Sequence, residues 1–202
     1  MKKLNIDNPF FEMMGRLGDV IAVNLLFIVC SLPIVTMGAA LTAMYGVFWR
    51  MEKGTEGSVG RTYLRCFREK LKGCTPVWMG MMAAGVLLIF DVIFLGHVGM
   101  QGIWKAVGVG AGCLILLWEL VFVWIFSLMA LREIGGREAL KEAFRMGVLR
   151  LPATLLMILL NNILLICLAV DLYYVMAVAP LYLVFGFAGV AYVNTRIMKG
   201  SD

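Results

Sequence analysis

The chain has 202 residues, is 62% hydrophobic and 15% charged, and has a mean hydropathy of +0.91. Soluble domains are about 45–50% apolar and about 25% charged, so this composition excludes an ordinary water-soluble core. It equally excludes a disordered chain, a collagen-like chain and a secreted disulfide scaffold, and assigns the chain to lipid.

The net charge of +5 and pI near 9.0 are a matter of position. All Lys and Arg except Lys105 fall in four clusters: Lys2, Lys3 and Arg16; Arg50 to Lys72; Arg132 to Arg150; Arg196 and Lys199. Long apolar segments separate them, the spacing that the positive-inside rule gives to cytoplasmic loops. No basic stripe interleaves with aromatics in a polar module, so nucleic acid is excluded as a partner. Both termini are expected in the cytoplasm, in a cell membrane, with the bilayer as the first partner.

In chain order, residues 1–19 form an N-terminal interfacial segment, and residues 20–49 form an uncharged zone too long for one untilted crossing. Ser31-Leu32-Pro33 and Gly38 break it, since proline removes a helix hydrogen bond and biases its predecessor away from helix. The expectation is two short crossings or a re-entrant hairpin turning near Pro33, which keeps the basic clusters on one face. A cleaved signal peptide is disfavoured by the long polar lead before the apolar run. An amphipathic stretch follows, with Leu64, Phe67 and Leu71 opposite Arg61, Arg65 and Arg68. Thr75–Leu95 and Ile103–Leu131 then read as spans, the second interrupted only by Lys105 and Glu119. A second amphipathic stretch sets Leu140, Phe144 and Val148 opposite Lys141, Glu142 and Arg145. Leu151–Val170 and Leu172–Val193 complete the set. The fold expected is all-α, a polytopic transmembrane bundle of six spans forming one domain over 1–202, with cytoplasmic amphipathic helices.

A weak internal repeat relates the hairpin units at 61–131 and 138–195. Cys66-Phe67-Arg68 and Ala143-Phe144-Arg145 lie 77 positions apart, and Leu87-Leu88-Ile89 matches Leu164-Leu165-Ile166 at the same offset.

Enzyme chemistry finds no purchase. His97 is the one histidine, so no histidine pair for a metal exists, and the five cysteines form no CxxC. Gly108-Val109-Gly110-Ala111-Gly112 follows no strand and is not a dinucleotide fingerprint; its spacing suits close helix approach. No catalytic residue, metal ligand or cofactor is expected.

Three acids stand outside the basic clusters, and the others read as solvated charges. Glu119 lies near the middle of its span, where a carboxyl is costly and should face the bundle interior. Asn161 and Asn162 lie at matching depth in the next span, so one amide can pair with it. Asp91 and Asp171, with His97, form a candidate polar cluster toward the outer face. Trp78, Trp104, Trp118 and Trp124 read as interfacial or packing aromatics.

The run Ser31-Leu32-Pro33-Ile34-Val35-Thr36-Met37-Gly38-Ala39-Ala40-Leu41-Thr42-Ala43-Met44-Tyr45 resembles the N-terminal signature of the YesL-like family of bacterial membrane proteins. Asn24-Leu25-Leu26-Phe27 and Phe67-Arg68-Glu69-Lys70-Leu71-Lys72-Gly73-Cys74-Thr75 fit the same pattern, although Lys70-Leu71 stands where the family usually has Asn-Phe. The resemblance implies a multi-pass protein of unassigned biochemical function, without established catalytic residues. Such proteins are often encoded beside carbohydrate-uptake ABC importers in Gram-positive bacteria, which implies an importer or another membrane protein as partner. An echo of the importers' own coupling motif at Glu142-Ala143, Gly147 and Leu151-Pro152 has the wrong spacing. Two functions follow: a non-enzymatic accessory or scaffold linked to carbohydrate uptake or sensing, or a small transporter of a solute or ion using Glu119.

Overall fold

Every regular element in the described residues of the computed structural model is helical; these are 9–54, 57–98, 102–132, 134–163, 166–167 and 171–200. Helix α1 (Pro9–Ser31) is followed by a short 3-10 turn (Ile34–Thr36), α2 (Met37–Glu52), α3 (Val59–Val98) and α4 (Ile103–Leu131). Then come α5 (Gly136–Leu149), α6 (Leu151–Asn161), α7 (Leu172–Leu181), a π-helical turn (Tyr182–Gly186) and α8 (Phe187–Lys199). Met14–Ser31, Ile34–Glu52, Val59–Val98, Ile103–Leu131 and Val178–Lys199 are each long and apolar enough to cross a membrane. Helices α5 and α6 meet at a bend of 106°, as in a broken span or a re-entrant loop. The chain is thus an all-α polytopic helical bundle. Lys2, Lys3, the Gly99–Gln101 part of the expected outer turn, Leu164-Leu165 of the repeat and the Val170 end of one expected span lie outside the described residues.

Chemistry at Pro33 explains the break between α1 and α2. The Thr36 hydroxyl donates to the carbonyls of Cys30 (2.7 Å) and Pro33 (2.8 Å), serving oxygens that a continued helix would have bonded. Gly38 opens α2 because there is no room for a side chain: an added Cβ would stand 2.5 Å from Cβ of Trp78. Trp78 in turn donates to the Ile34 carbonyl at 2.7 Å and packs on Phe122 and Phe126, with ring centroids 6.2 and 5.8 Å away. Phe126 lies five residues before Leu131, so the first hairpin turns about 7.5 Å of helix rise from the basic end of α4. From there α3 and α4 run on together, with Phe94 against Trp104 at 5.8 Å near their far ends.

Helix α5 buries a different face from the one its large apolar residues suggest, whereas α3 buries part of the expected one. On α5, Ala139, Ala143 and Gly147 are buried, while Leu140, Phe144 and Val148 are exposed. Small residues let α5 seat closely on α4, where a Cβ at Gly147 would meet Leu120 at 2.1 Å. The large side chains are left for lipid, as suits an interfacial helix. On α3, Thr62, Tyr63 and Cys66 are buried and Phe67 and Leu71 pack partly against the core, while Leu64 is exposed. Of the glycine run of α4, Gly110 and Gly112 make no close approach among the described residues: a Cβ at either meets nothing within 4 Å. Close packing occurs instead at Gly38, Gly85, Gly136 and Gly147.

The core lies in the basic half of the molecule. It joins α1, α2, the first part of α3, Val123–Met129 of α4, α5, α6 and α8, and holds Phe48, Tyr63, Ile125 and Met157 fully buried. Buried polar side chains tie these helices together. Trp124 donates to Thr154 at 2.9 Å, Trp49 to Ser127 at 3.4 Å, and Tyr63 to the Ala40 carbonyl at 3.2 Å.

Candidate functional site

The bundle brings Glu119 and Asn162 together: the Asn162 side chain lies beside the half-buried Glu119 carboxyl. Asn162 donates through Nδ2 to the Ile158 carbonyl at 3.0 Å, which orients the amide. Asn161 takes no part; it is exposed and donates to the Met157 carbonyl of its own helix at 2.7 Å. The 100° step between neighbours on a helix separates the two amides.

Beside Glu119 a groove of about 400 Å³ opens between α3 and α4, lined by Gly85, Leu88, Ile89, Val92, Ile115 and Trp118 among others. Among the described residues of its lining, Glu119 is the one that ionises. Toward the basic end the next layer is aromatic. Trp118 stacks on Phe122 at 5.0 Å, Phe122 meets Phe126 at 5.7 Å, and Trp78 packs on both. The Trp118 indole is held by donation to the Met81 carbonyl at 3.0 Å.

The outer polar residues act separately. Asp171 caps α7 by accepting from the Tyr173 N–H at 3.1 Å. His97 Nδ1 lies 2.8 Å from the Ile93 carbonyl, within its own helix, and Asp91 is exposed. Among the described residues no group of His, Cys, Asp and Glu has the arrangement of a metal site.

Two buried polar centres escape sequence reading. Asn24 is fully buried in α1 and grips the π-helical turn. Its Nδ2 donates to the carbonyls of Leu183 (2.8 Å) and Tyr182 (3.3 Å), and its Oδ1 accepts from the Ala188 N–H at 2.9 Å. Pro180, lacking an N–H, lies just before this turn, where the helical ladder is already interrupted. The second centre is Glu52, which composition placed among solvated charges. Its side chain is only 9% exposed, because α8 ends beside α2: Arg196 is 2.7 Å away and Lys199 3.1 Å. Tyr192 adds a hydrogen bond at 3.3 Å.

Apolar spanning helices, a half-buried carboxyl beside an amide and basic ends together fit an integral membrane protein of unassigned activity. Over residues 20–92 the chain is similar to a family described as "Protein of unknown function, DUF624". That region covers the first hairpin and most of α3, including the Pro33 break, Gly38 and Trp78. No curated protein and no solved structure matches the chain.

Proposed function

We propose that the protein is a non-enzymatic accessory or scaffold in the cell membrane, serving carbohydrate uptake or sensing through contact with an ABC importer or another membrane protein. The observation supporting this reading is the aromatic layer of Trp78, Trp118, Phe122 and Phe126, which packs between α3 and α4 on the basic side of the Glu119 groove. A solute path would need polar lining where this layer is apolar and close-packed. The carbohydrate link rests on the resemblance to YesL-like proteins. The basic ends are assigned to the cytoplasm on the positive-inside rule. There the exposed Arg61, Arg65 and Arg68 of α3 form a charged face for an acidic partner surface.

The test is purification from the native host in mild detergent. Importer subunits should accompany the wild-type chain and be lost from an Arg61→Glu, Arg65→Glu, Arg68→Glu variant. Recovery of a lone bundle would overturn the accessory role.

The half-buried Glu119 beside Asn162 favours a second reading, a small transporter. Glu119→Gln keeps hydrogen bonding and removes titration. Under the accessory reading it leaves growth on the relevant carbohydrate unchanged; a loss of uptake would establish the transporter.

A further inference from the structure

Gly85, Leu88, Ile89, Val92 and Ile93 recur at the spacing of one helical face, and that face of α3 meets Ile115, Trp118 and Glu119 of α4. The groove between them holds about 400 Å³, and Ile89, Val92 and Ile93 are exposed, so it opens sideways to lipid. Its described lining is apolar except at Glu119, since the Trp118 N–H is committed to the Met81 carbonyl at 3.0 Å. We propose that this groove binds a lipophilic amine, an elongated apolar body carrying one protonated nitrogen, which donates to the Glu119 carboxyl.

Small-molecule pockets run to about 300–1,000 Å³ and pair mostly apolar walls with a few placed polar groups, a description this groove meets. The α3 wall from Gly85 to Ile93 extends about 12 Å, which sets the elongated shape of the body. The chemistry of the head is set by Glu119, whose carboxyl accepts hydrogen bonds and, when ionised, calls for a cation. The two helices that wall the groove bring none to this depth: no Lys or Arg stands between Lys72 and Lys105 or between Lys105 and Arg132. Lys105 is 14 positions from Glu119, about 21 Å of helix rise. Asn162 brings an amide beside the carboxyl but no charge, and its Nδ2 donates to the Ile158 carbonyl. Acyl chains of the bilayer can fill the groove, but they offer the carboxyl no donor. Headgroups lie beyond the ends of α4, the nearer of which, Leu131, is about 18 Å of rise away. An amine supplies donor, charge and apolar body together, and a charge-assisted hydrogen bond is about twice as strong as a neutral one. The wall beside the carboxyl is fixed in advance, because Trp118 is stacked on Phe122 at 5.0 Å as well as tied to Met81. The inference rests on neither functional reading, since a groove that only binds and one that also passes its ligand need the same contacts.

The experiment uses the full chain in neutral detergent and follows its melting temperature with dodecylamine, dodecanol and dodecanoic acid, three probes with one apolar body. Dodecylamine should raise the melting temperature at concentrations where the alcohol acts weakly and the acid not at all. Glu119→Gln should move the half-effect concentration of dodecylamine upward by roughly tenfold, the loss of one charge-assisted hydrogen bond. Glu119→Asp, which keeps a carboxyl, should retain most of the response. Leu88→Trp should weaken it by filling the groove while the carboxyl stays intact. Asp91→Asn removes an exposed carboxyl of α3 that is outside the lining, and should leave the response unchanged. If Glu119→Gln does not fold, Leu88→Trp decides the matter. The proposal is overturned if the acid acts as well as the amine, if Glu119→Gln or Leu88→Trp responds as the wild type does, or if Asp91→Asn abolishes the response.

Discussion

The indole of Trp78 donates to the carbonyl of Ile34 at 2.7 Å, so the turn of the first hairpin is held against the aromatic layer of α3 and α4. The contact sets the depth of the hairpin. From Phe126 to Ile103, α4 covers about 35 Å more of helix rise, enough for a whole hydrocarbon core.

That depth predicts sidedness. In a cysteine-free background, Leu32→Cys, at an exposed position of the turn, should react with an impermeant thiol reagent from the same side as Arg68→Cys. Val98→Cys, at the far end of α3, should react from the opposite side. Labelling of Leu32→Cys together with Val98→Cys would mean that the first hairpin crosses completely. The native Cys66 and Cys74 are unsuitable reporters, because both are buried.

The close approach at Gly38 makes a different demand. Gly38→Ala puts a Cβ 2.5 Å from the Cβ of Trp78, so backbone must move, at a cost of about 1–3 kcal/mol. Trp78→Phe removes the hydrogen bond to Ile34, at about 1 kcal/mol, and some ring contact. Because phenylalanine keeps the offending Cβ, it should not rescue Gly38→Ala. Thermal unfolding of the two single variants and the double variant in one detergent checks this; recovery in the double variant would contradict it.

Glu52→Gln should cost about 1–3 kcal/mol, since it leaves Arg196 and Lys199 without their carboxylate at a site where Glu52 is only 9% exposed. Arg145→Gln provides the contrast. Its pair with Glu142 spans 3.4 Å with Arg145 64% exposed, and its loss should cost less than about 1 kcal/mol. Melting temperatures should therefore rank wild type and Arg145→Gln close together, with Glu52→Gln well below.

Asn24→Leu should be damaging although it is apolar and of similar size. It strips partners from two carbonyls and one N–H inside the bundle, at about 1–3 kcal/mol. Asn24→Asp retains an acceptor for Ala188 but loses both donated bonds and adds a charge in the core, so it should not restore stability. Wild-type melting in the leucine variant would remove Asn24 from the set of structural anchors.

What the sequence discloses follows the range of the interactions. Pro33 and Gly38 announce a break because their chemistry is local, and Glu119 stands out because a carboxyl amid apolar residues is conspicuous wherever the helix lies. Its partner was narrowed to two adjacent amides, and helix geometry separates Asn162 from Asn161. Asn24 was not legible as an anchor, since the groups it serves are backbone atoms about 160 positions away, in a turn that only Pro180 hints at. Glu52 looked solvated among basic neighbours because nothing local says that α8 returns to cover it. On α5 the large apolar residues mark lipid, and the small ones mark the helix contact.

The grip of Asn24 on the π-helical turn also imposes an order on assembly. Tyr182 is made 158 residues after Asn24, which at about 5–20 residues per second is a delay of roughly 8–32 s. Through that interval α1 carries an amide with none of its final partners, and the last helices complete what the first began. A nascent chain halted before Tyr182 should hold α1 loosely, and release of the final segment should fix it in place.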